Sequence, residues 1–233
     1  MSDPRPAINR LLQRVFPGPL IRLMFRPVVD GRANLPSSGP GTGEGLIIAC
    51  NHLSFLDPVL VQLTVRHPIV FLAKSDYFTG SSRLFLGALL SAAGMIPVDR
   101  HGGDDGEKAL DAAAAVLGRG GFVGIFPEGT RSRDGLLHRG RTGVGRLHLR
   151  TGAAVVPIAL LNTDAILPAG RIVPRLRRAR MRCGEPMFFE DLPATSDTAR
   201  ASRLVTDAVM GRLQELCDRP YDDTYATRFT GTG

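Results

Sequence analysis

The sequence predicts an α/β fold, a central, mostly parallel or mixed sheet enclosed by helices and preceded by an amphipathic helical hairpin. Three observations carry this expectation. Leu46–Cys50, Ile69–Ala73, Phe122–Phe126 and Ala154–Leu160 are short apolar runs of the kind that form strands buried on both faces. Segments with helical periodicity separate them, and that alternation packs helices onto a shared sheet. With 233 residues the chain is long enough to bury a substantial core.

From the N-terminus, Ile8, Leu11, Leu12, Val15 and Phe16 recur at i, i+3, i+4, i+7 and i+8, with Asn9, Arg10, Gln13 and Arg14 opposite. Ala7–Phe16 therefore reads as an amphipathic helix. Pro17-Gly18-Pro19 breaks it, and a second apolar segment from Leu20 to Val28 completes a hairpin over residues 1–33. Five arginines precede Asp30 against Asp3 alone, a balance suited to lying in the interface of an anionic membrane. A terminal helix packed on the core would show the same apolar spacing.

A loop rich in Pro, Gly and Ser, Asn34 to Glu44, opens the main domain, residues 34–220. There the order is strand Leu46–Cys50, helix Pro58–Val65, strand Ile69–Ala73, helix Ser81–Ala93 and strand Ile96–Asp99. Asp105–Leu117 is a helix with acids in its first turn and Gly118, Gly120 and Gly121 at its end. Strand Phe122–Phe126, helix Thr142–Arg150, strand Ala154–Leu160 and an edge strand Arg180–Cys183 follow. Ser202–Leu216 closes the domain with a core face that includes Val205, Val209 and Leu213, and residues 221–233 read as a frayed tail.

The formal charge of +7 calls for an anionic partner: nucleic acid, an anionic bilayer or a phosphorylated substrate. Only Lys74 and Lys108 among 29 basic residues are lysines, a bias that coding composition alone would also produce. Cys50, Cys183 and Cys217 are odd in number and lack metal-ligand spacing. This argues against a disulfide framework and a structural metal, and for a reducing compartment. No N-terminal stretch joins a long apolar region to a small-residue cleavage site, so the expected location is the cytoplasm. The longest uncharged run, Leu84 to Val98, has 15 residues, short of the roughly 20 that span a bilayer.

Chemistry concentrates in two places. In Asn51-His52-Leu53-Ser54-Phe55-Leu56-Asp57 an imidazole and a carboxylate stand five positions apart. On an ideal helix they would point about 140° apart, so they meet only if a turn separates a strand ending near Asn51 from a helix beginning near Asp57-Pro58. Asp57 would then orient His52 as a general base, although an N-cap Asp beside an ordinary loop His has the same sequence. In Phe126-Pro127-Glu128-Gly129-Thr130-Arg131-Ser132, Gly129 permits a tight turn that brings Thr130, Arg131 and Ser132 to a strand end. Arginine matches phosphate geometry there, whereas Glu128 and Arg131 could also simply pair in a surface turn.

These segments resemble the NHxxxxD and FPEGTRS motifs of the glycerolipid acyltransferase family, which includes 1-acylglycerol-3-phosphate acyltransferases. Gly94-Met95-Ile96-Pro97-Val98-Asp99-Arg100 resembles its second motif and Val155-Val156-Pro157-Ile158-Ala159-Leu160 its fourth, in the family's order. The resemblance implies His52 as general base, Asp57 as its orienting partner, and Glu128, Gly129, Thr130 and Arg131 shaping the acceptor site. It further implies Arg131 and Arg100 on an acceptor phosphate, and it likens Lys74 to a phosphate-binding lysine at a strand end. It implies transfer of a fatty acyl group from acyl-CoA or acyl carrier protein, without metal or cofactor, to a lysophospholipid, at the cytoplasmic face of a membrane. Glycerol 3-phosphate, a glycolipid or an aminolipid are alternative acceptors.

A non-enzymatic basic protein would explain the arginines of 133–150 and 171–182 but leaves the four ordered motifs unexplained. Nucleic acid is not expected, since no basic-aromatic stripe is present.

Overall fold

The computed structural model describes residues 18–35, 45–65, 67–74, 95–98, 105–168, 170–171, 173–190 and 197–227. In chain order the elements are α1 (Gly18–Phe25), β1 (Val28–Asp30), β2 (Leu46–Cys50), α2 (Asp57–Thr64), β3 (Ile69–Lys74), β4 (Met95–Val98), α3 (Asp105–Leu117) and β5 (Phe122–Ile125). There follow β6 (Leu137–His138), α4 (Gly143–Thr151), β7 (Ala154–Leu160), α5 (Thr163–Ile166), β8 (Arg180–Cys183), α6 (Thr198–Cys217) and β9 (Tyr221–Asp222).

Seven strands form one sheet in the order β1-β8-β7-β2-β5-β3-β4, and β6 pairs with β9 apart from it. Every pairing in the large sheet is parallel except β7 with β8, where Leu160 lies opposite Met181 and Ile158 opposite Cys183. The entrances of β8 and β1 therefore lie at the end of the sheet where β2, β3, β4, β5 and β7 exit.

Period-2 alternation in the apolar runs sends residues to two layers. Leu46, Ile48 and Cys50 join Val156, Ile158 and Leu160 beneath α1 and α2, packing with Phe25, Leu60 and Val61. Ile47, Ala49, Val155 and Ala159 join the layer under α3, α4 and α6, with Leu117, Leu147 and Val209. Burying each large aliphatic side chain contributes about 1.5–3 kcal/mol, so these two layers fix the sheet on which the loops sit. On the second face α4 approaches α6 closely because position 145 is glycine: a Cβ there would lie 2.1 Å from the Ser202 carbonyl oxygen. Asp197 caps α6, accepting from the amides of Ala199 at 2.9 Å and Arg200 at 3.1 Å, so this helix starts four residues before the periodicity indicates.

Two boundaries differ from expectation. Residues 18–33 are not an element apart: β1 runs parallel to β8, and Phe25 is buried in the first layer. A three-residue strand carries too little pattern to register as one. The first helix of the expected hairpin, the helix at 81–93 and residues 99–100 lie outside the described residues. The tail is not frayed from 221: Tyr221–Asp222 pairs with Leu137–His138, and Ala226 is buried. Residues 228–233 lie outside the described residues.

Candidate active site

The exits of β2 and β5 are neighbours, and both motif loops start there. Asn51 continues the ladder with its side chain. Its Nδ2 donates to the Leu160 carbonyl at 2.9 Å and its Oδ1 accepts the Leu160 amide at 2.7 Å, so the chain leaves β2 at a fixed point. A turn follows in which the Asp57 amide donates to the Ser54 carbonyl at 3.2 Å, and α2 begins with Pro58 in its first turn.

The required reversal brings Asp57 Oδ2 within 2.9 Å of His52 Nδ1, and the same oxygen accepts the amides of Leu53 and Ser54, each at 2.7 Å. Asp57 is fully buried, whereas the His52 side chain keeps 18 % exposure. Three N–H donors converge on Oδ2 of the buried carboxylate, while its Oδ1 is buried without a hydrogen-bond partner among the described residues. With Nδ1 donating, the lone pair of the imidazole resides on Nε2.

His52 lies on an aromatic platform. Its ring stacks on Phe126 with centroids 4.0 Å apart and planes 17° apart, and Phe71 stacks on Phe126 at 5.4 Å. Gly124 makes room for this arrangement, because a Cβ there would lie 2.2 Å from the Phe71 ring. The stack fixes the plane of the imidazole. The apolar run containing these residues signalled a strand, and only the lone glycine inside it hinted at a close approach.

The second loop holds the first. The Gly129 amide closes a turn onto the Phe126 carbonyl at 3.0 Å, with Gly129 at φ 74°, and a Cβ there would press on the Arg141 side chain at 2.9 Å. Glu128 is fully buried; its Oε2 accepts the His52 amide at 2.8 Å and its Oε1 the His138 amide at 3.1 Å. The Ser132 amide donates to the His52 carbonyl at 2.7 Å. Both main-chain groups of His52 are thus bound by this loop. Burial pushes the Glu128 carboxyl up to about 7, against the pull of the two amides. Glu128 therefore shapes the site through the backbone of His52, and its carboxylate does not pair with Arg131.

Thr130 and Arg131 are half-buried beside this turn, and no ion pair among the described residues engages Arg131. Lys74 is the last residue of β3, in register with Val98, which puts its backbone at the same end of the sheet. Its side chain, like Arg100, lies outside the described residues. Arg141, placed by sequence only within an arginine-rich stretch, packs beneath Gly129 and over the Tyr225 ring at 4.9 Å. Cys50 is no rival nucleophile: burial, with a further contribution from Asp57, drives its thiol well above the usual range.

Residues 26–161, more than half the chain, match the model of the family described as Acyltransferase. The chain belongs to the acyltransferase family. All eight site residues read from the sequence lie inside the matched acyltransferase region. The chain is 31 % identical over 171 residues to the chloroplastic 1-acyl-sn-glycerol-3-phosphate acyltransferase LPAT1 of Arabidopsis thaliana, covering 73 % of this chain and 46 % of that one. To the 1-acyl-sn-glycerol-3-phosphate acyltransferase of Bacillus subtilis it is 27 % identical over 190 residues, covering 81 % and 86 %.

The chain spans about half the length of the curated relatives from Arabidopsis thaliana, Brassica napus and Borreliella burgdorferi. Its acyltransferase fold is shared with the crystal structure of the 1-acyl-sn-glycerophosphate acyltransferase PlsC from Thermotoga maritima. That likeness has a TM-score of 0.61 at 20 % identity and covers 92 % of this chain and 84 % of that one.

Proposed function

We propose that this chain is an O-acyltransferase that moves a fatty acyl group from acyl-CoA or acyl carrier protein to the free hydroxyl of 1-acylglycerol-3-phosphate, giving phosphatidic acid. The observation that carries this reading is the 2.9 Å bond from His52 Nδ1 to the buried Asp57, which leaves Nε2 of a partly exposed ring as the proton acceptor beside an arginine-bearing turn. The similarity to 1-acyl-sn-glycerol-3-phosphate acyltransferases supports the acceptor.

His52 Nε2 takes the hydroxyl proton as the acceptor oxygen attacks the thioester carbonyl. The tetrahedral oxyanion collapses, the C–S bond breaks, and the departing thiolate receives the proton from the imidazolium. Asp57 stabilises that imidazolium and holds its tautomer without taking the proton. General-base catalysis of this kind contributes about 10²- to 10⁴-fold. Arg131, with Lys74 and Arg100, holds the acceptor phosphate, and the thioester is the co-substrate, with no further cofactor.

The enzyme works from the cytoplasmic face of a membrane as a peripheral protein. Leu20 and Leu23 of α1 face outward, and among the described residues no helix is long and apolar enough to cross a bilayer.

Purified protein with anionic vesicles, an acyl-CoA, and a panel of lysophospholipids, glycerol 3-phosphate and aminolipids tests this by thiol release. Lysophosphatidic acid is expected to give the highest kcat/KM. Preference for another acceptor would overturn the substrate, and absence of thiol release throughout would overturn the activity. Arg131→Ala is expected to raise KM for the phosphorylated acceptor at least about tenfold, the scale of a lost charge-assisted hydrogen bond, with donor KM unchanged. Equal losses for donor and acceptor would sink the phosphate assignment.

A further inference from the structure

We infer that residues 173–178 with Arg171, together with the outward side of α1, form a docking surface for an anionic phospholipid bilayer at the mouth of the site. Three observations meet there. Because β8 runs antiparallel to β7, the chain entering β8 lies at the exit of β7, and the Leu161 amide donates to the Arg180 carbonyl at 3.0 Å. Backbone bonds then fasten the segment in place: Arg175 N to the Ile166 carbonyl at 2.7 Å, Ala179 N to the Phe25 carbonyl at 2.8 Å, and Val28 N to the Ala179 carbonyl at 2.8 Å. The segment thus runs beside the end of α1, and Ser54 Oγ donates to the Leu167 carbonyl at 3.0 Å, linking the approach to this surface with the His52–Asp57 loop.

The side chains are those a bilayer interface binds. Val173 is 71 % exposed, Leu176 72 % and Leu23 of α1 64 %, with Leu20 also turned outward. The same segment carries Arg171, Arg175, Arg177 and Arg178, all exposed, with no acid from 170 to 178 and no ion pair to them among the described residues. Other arginines of the chain do find carboxylates: Arg150 pairs with Asp111, Arg182 with Asp218 and Arg219 with Asp164. Apolar side chains entering the headgroup boundary while arginines meet phosphates is the chemistry of interfacial binding. A nucleic acid would satisfy the arginines and leave valine and leucine in water.

The docking surface rests on the proposed acyl transfer only in giving the bilayer as the source of the acceptor. The test uses the full chain, vesicles of phosphatidylcholine with and without phosphatidylglycerol, and the variants Arg177→Glu/Arg178→Glu and Val173→Ser/Leu176→Ser. Sedimentation on anionic vesicles is expected to fall on the order of thirtyfold for the arginine pair, the equivalent of two lost surface contacts. The apolar pair is expected to weaken binding to both vesicle types, and melting temperatures should not move, since all four side chains are exposed. Leu176→Cys carrying an environment-sensitive dye should shift to the blue on anionic vesicles. Unchanged sedimentation and no shift would overturn the surface, as would loss of binding to an RNA oligonucleotide in place of vesicles. Thiol release with a dispersed short-chain lysophosphatidic acid separates the two ideas: if wild type releases none while vesicle binding falls as expected, acyl transfer fails and the docking surface stands.

Discussion

Among the described residues, His52 and His138 each pair with carboxylates and are joined through one residue, and the two arrangements are built in opposite ways. His52 and His138 donate their main-chain amides to the two oxygens of Glu128. At His52 the acid is buried and the ring partly exposed, and Asp57 binds a single ring nitrogen. At His138 the ring is buried and the acid is 52 % exposed; Asp134 binds Nε2 at 3.1 Å while Nδ1 faces Asp222 at 3.7 Å. Sequence cannot separate an i, i+5 pair from an i, i+4 pair by chemistry. The structure does, because only the first leaves a nitrogen available to substrate. The second ties the loop after β5 to the strand at 221–222.

Breaking both histidines gives the largest expected contrast. His52→Ala should lower kcat for thiol release about 10²- to 10⁴-fold, far beyond any effect of the roughly 1–3 kcal/mol of stability lost when the buried Asp57 loses a donor. Asp57→Asn should reach a similar range, because the imidazole loses the group that holds its tautomer. His138→Ala should leave kcat near wild type and cost roughly 1–2 kcal/mol of stability by denaturant titration. Comparable loss of kcat at His138 would erase the distinction.

Glu128 sharpens the comparison through pH. Its carboxyl titrates at about 7 in the fold and near the ordinary 4.5 when unfolded. A raised folded value means that its contribution is fully present below the unfolded value and is lost as pH rises through about 7. Wild type should therefore lose up to about 3 kcal/mol between pH 4.5 and 7 from this group, at about 1.36 kcal/mol per pH unit. Glu128→Gln should abolish that slope and leave one of the two amides facing an N–H group, at a cost of about 1–3 kcal/mol. Parallel slopes in the two proteins would show that Glu128 is not the group titrating.

Much of this was legible in the sequence, and what was not has a physical reason. The four apolar runs became β2, β3, β5 and β7, because contiguous buried residues leave their period in the sequence. That a turn must separate His52 from Asp57 if the two are to meet followed from helix geometry, whereas the meeting itself was not fixed by the spacing. β1, β6 and β9 have two or three residues each, too few for a period, and form only because a partner is already in place. The inward turn of Glu128 was invisible because its partners are amides, which every residue but proline carries. The stack of Phe71, Phe126 and His52 joins three segments that only the sheet register brings together.

Gly124→Ala tests that stack and should act more mildly. The new methyl would meet the Phe71 ring, which must move away and carry Phe126 with it. Overpacking of this kind costs about 1–3 kcal/mol. Loss of the platform should lower kcat roughly tenfold, within the range by which small misplacements of a catalytic group slow a reaction. KM for the acceptor should stay put, since Arg131 is untouched. A variant that loses stability but keeps kcat would show that Asp57 alone positions the imidazole.

The smallest effect is expected at Asp134, and its sign is opposite to that of Glu128. Some desolvation raises the Asp134 carboxyl, but hydrogen bonds from the Leu136 amide, the His138 ring and the Ser132 hydroxyl outweigh it and hold it below the usual carboxylate range. A lowered folded value gives stability that is present above the unfolded value and lost as pH falls through the folded one, so its window lies on the acid side. The side chain is half exposed and screened by solvent, which limits the contribution of such a pair to less than about 1 kcal/mol. Asp134→Asn should therefore flatten the acid limb of the stability curve slightly and leave both the slope from 4.5 to 7 and the pH profile of kcat unchanged. If the pH profile of kcat moved with Asp134→Asn, His138 would be coupled to the chemistry, and the two pairs would have to be treated as a single titrating unit through Glu128.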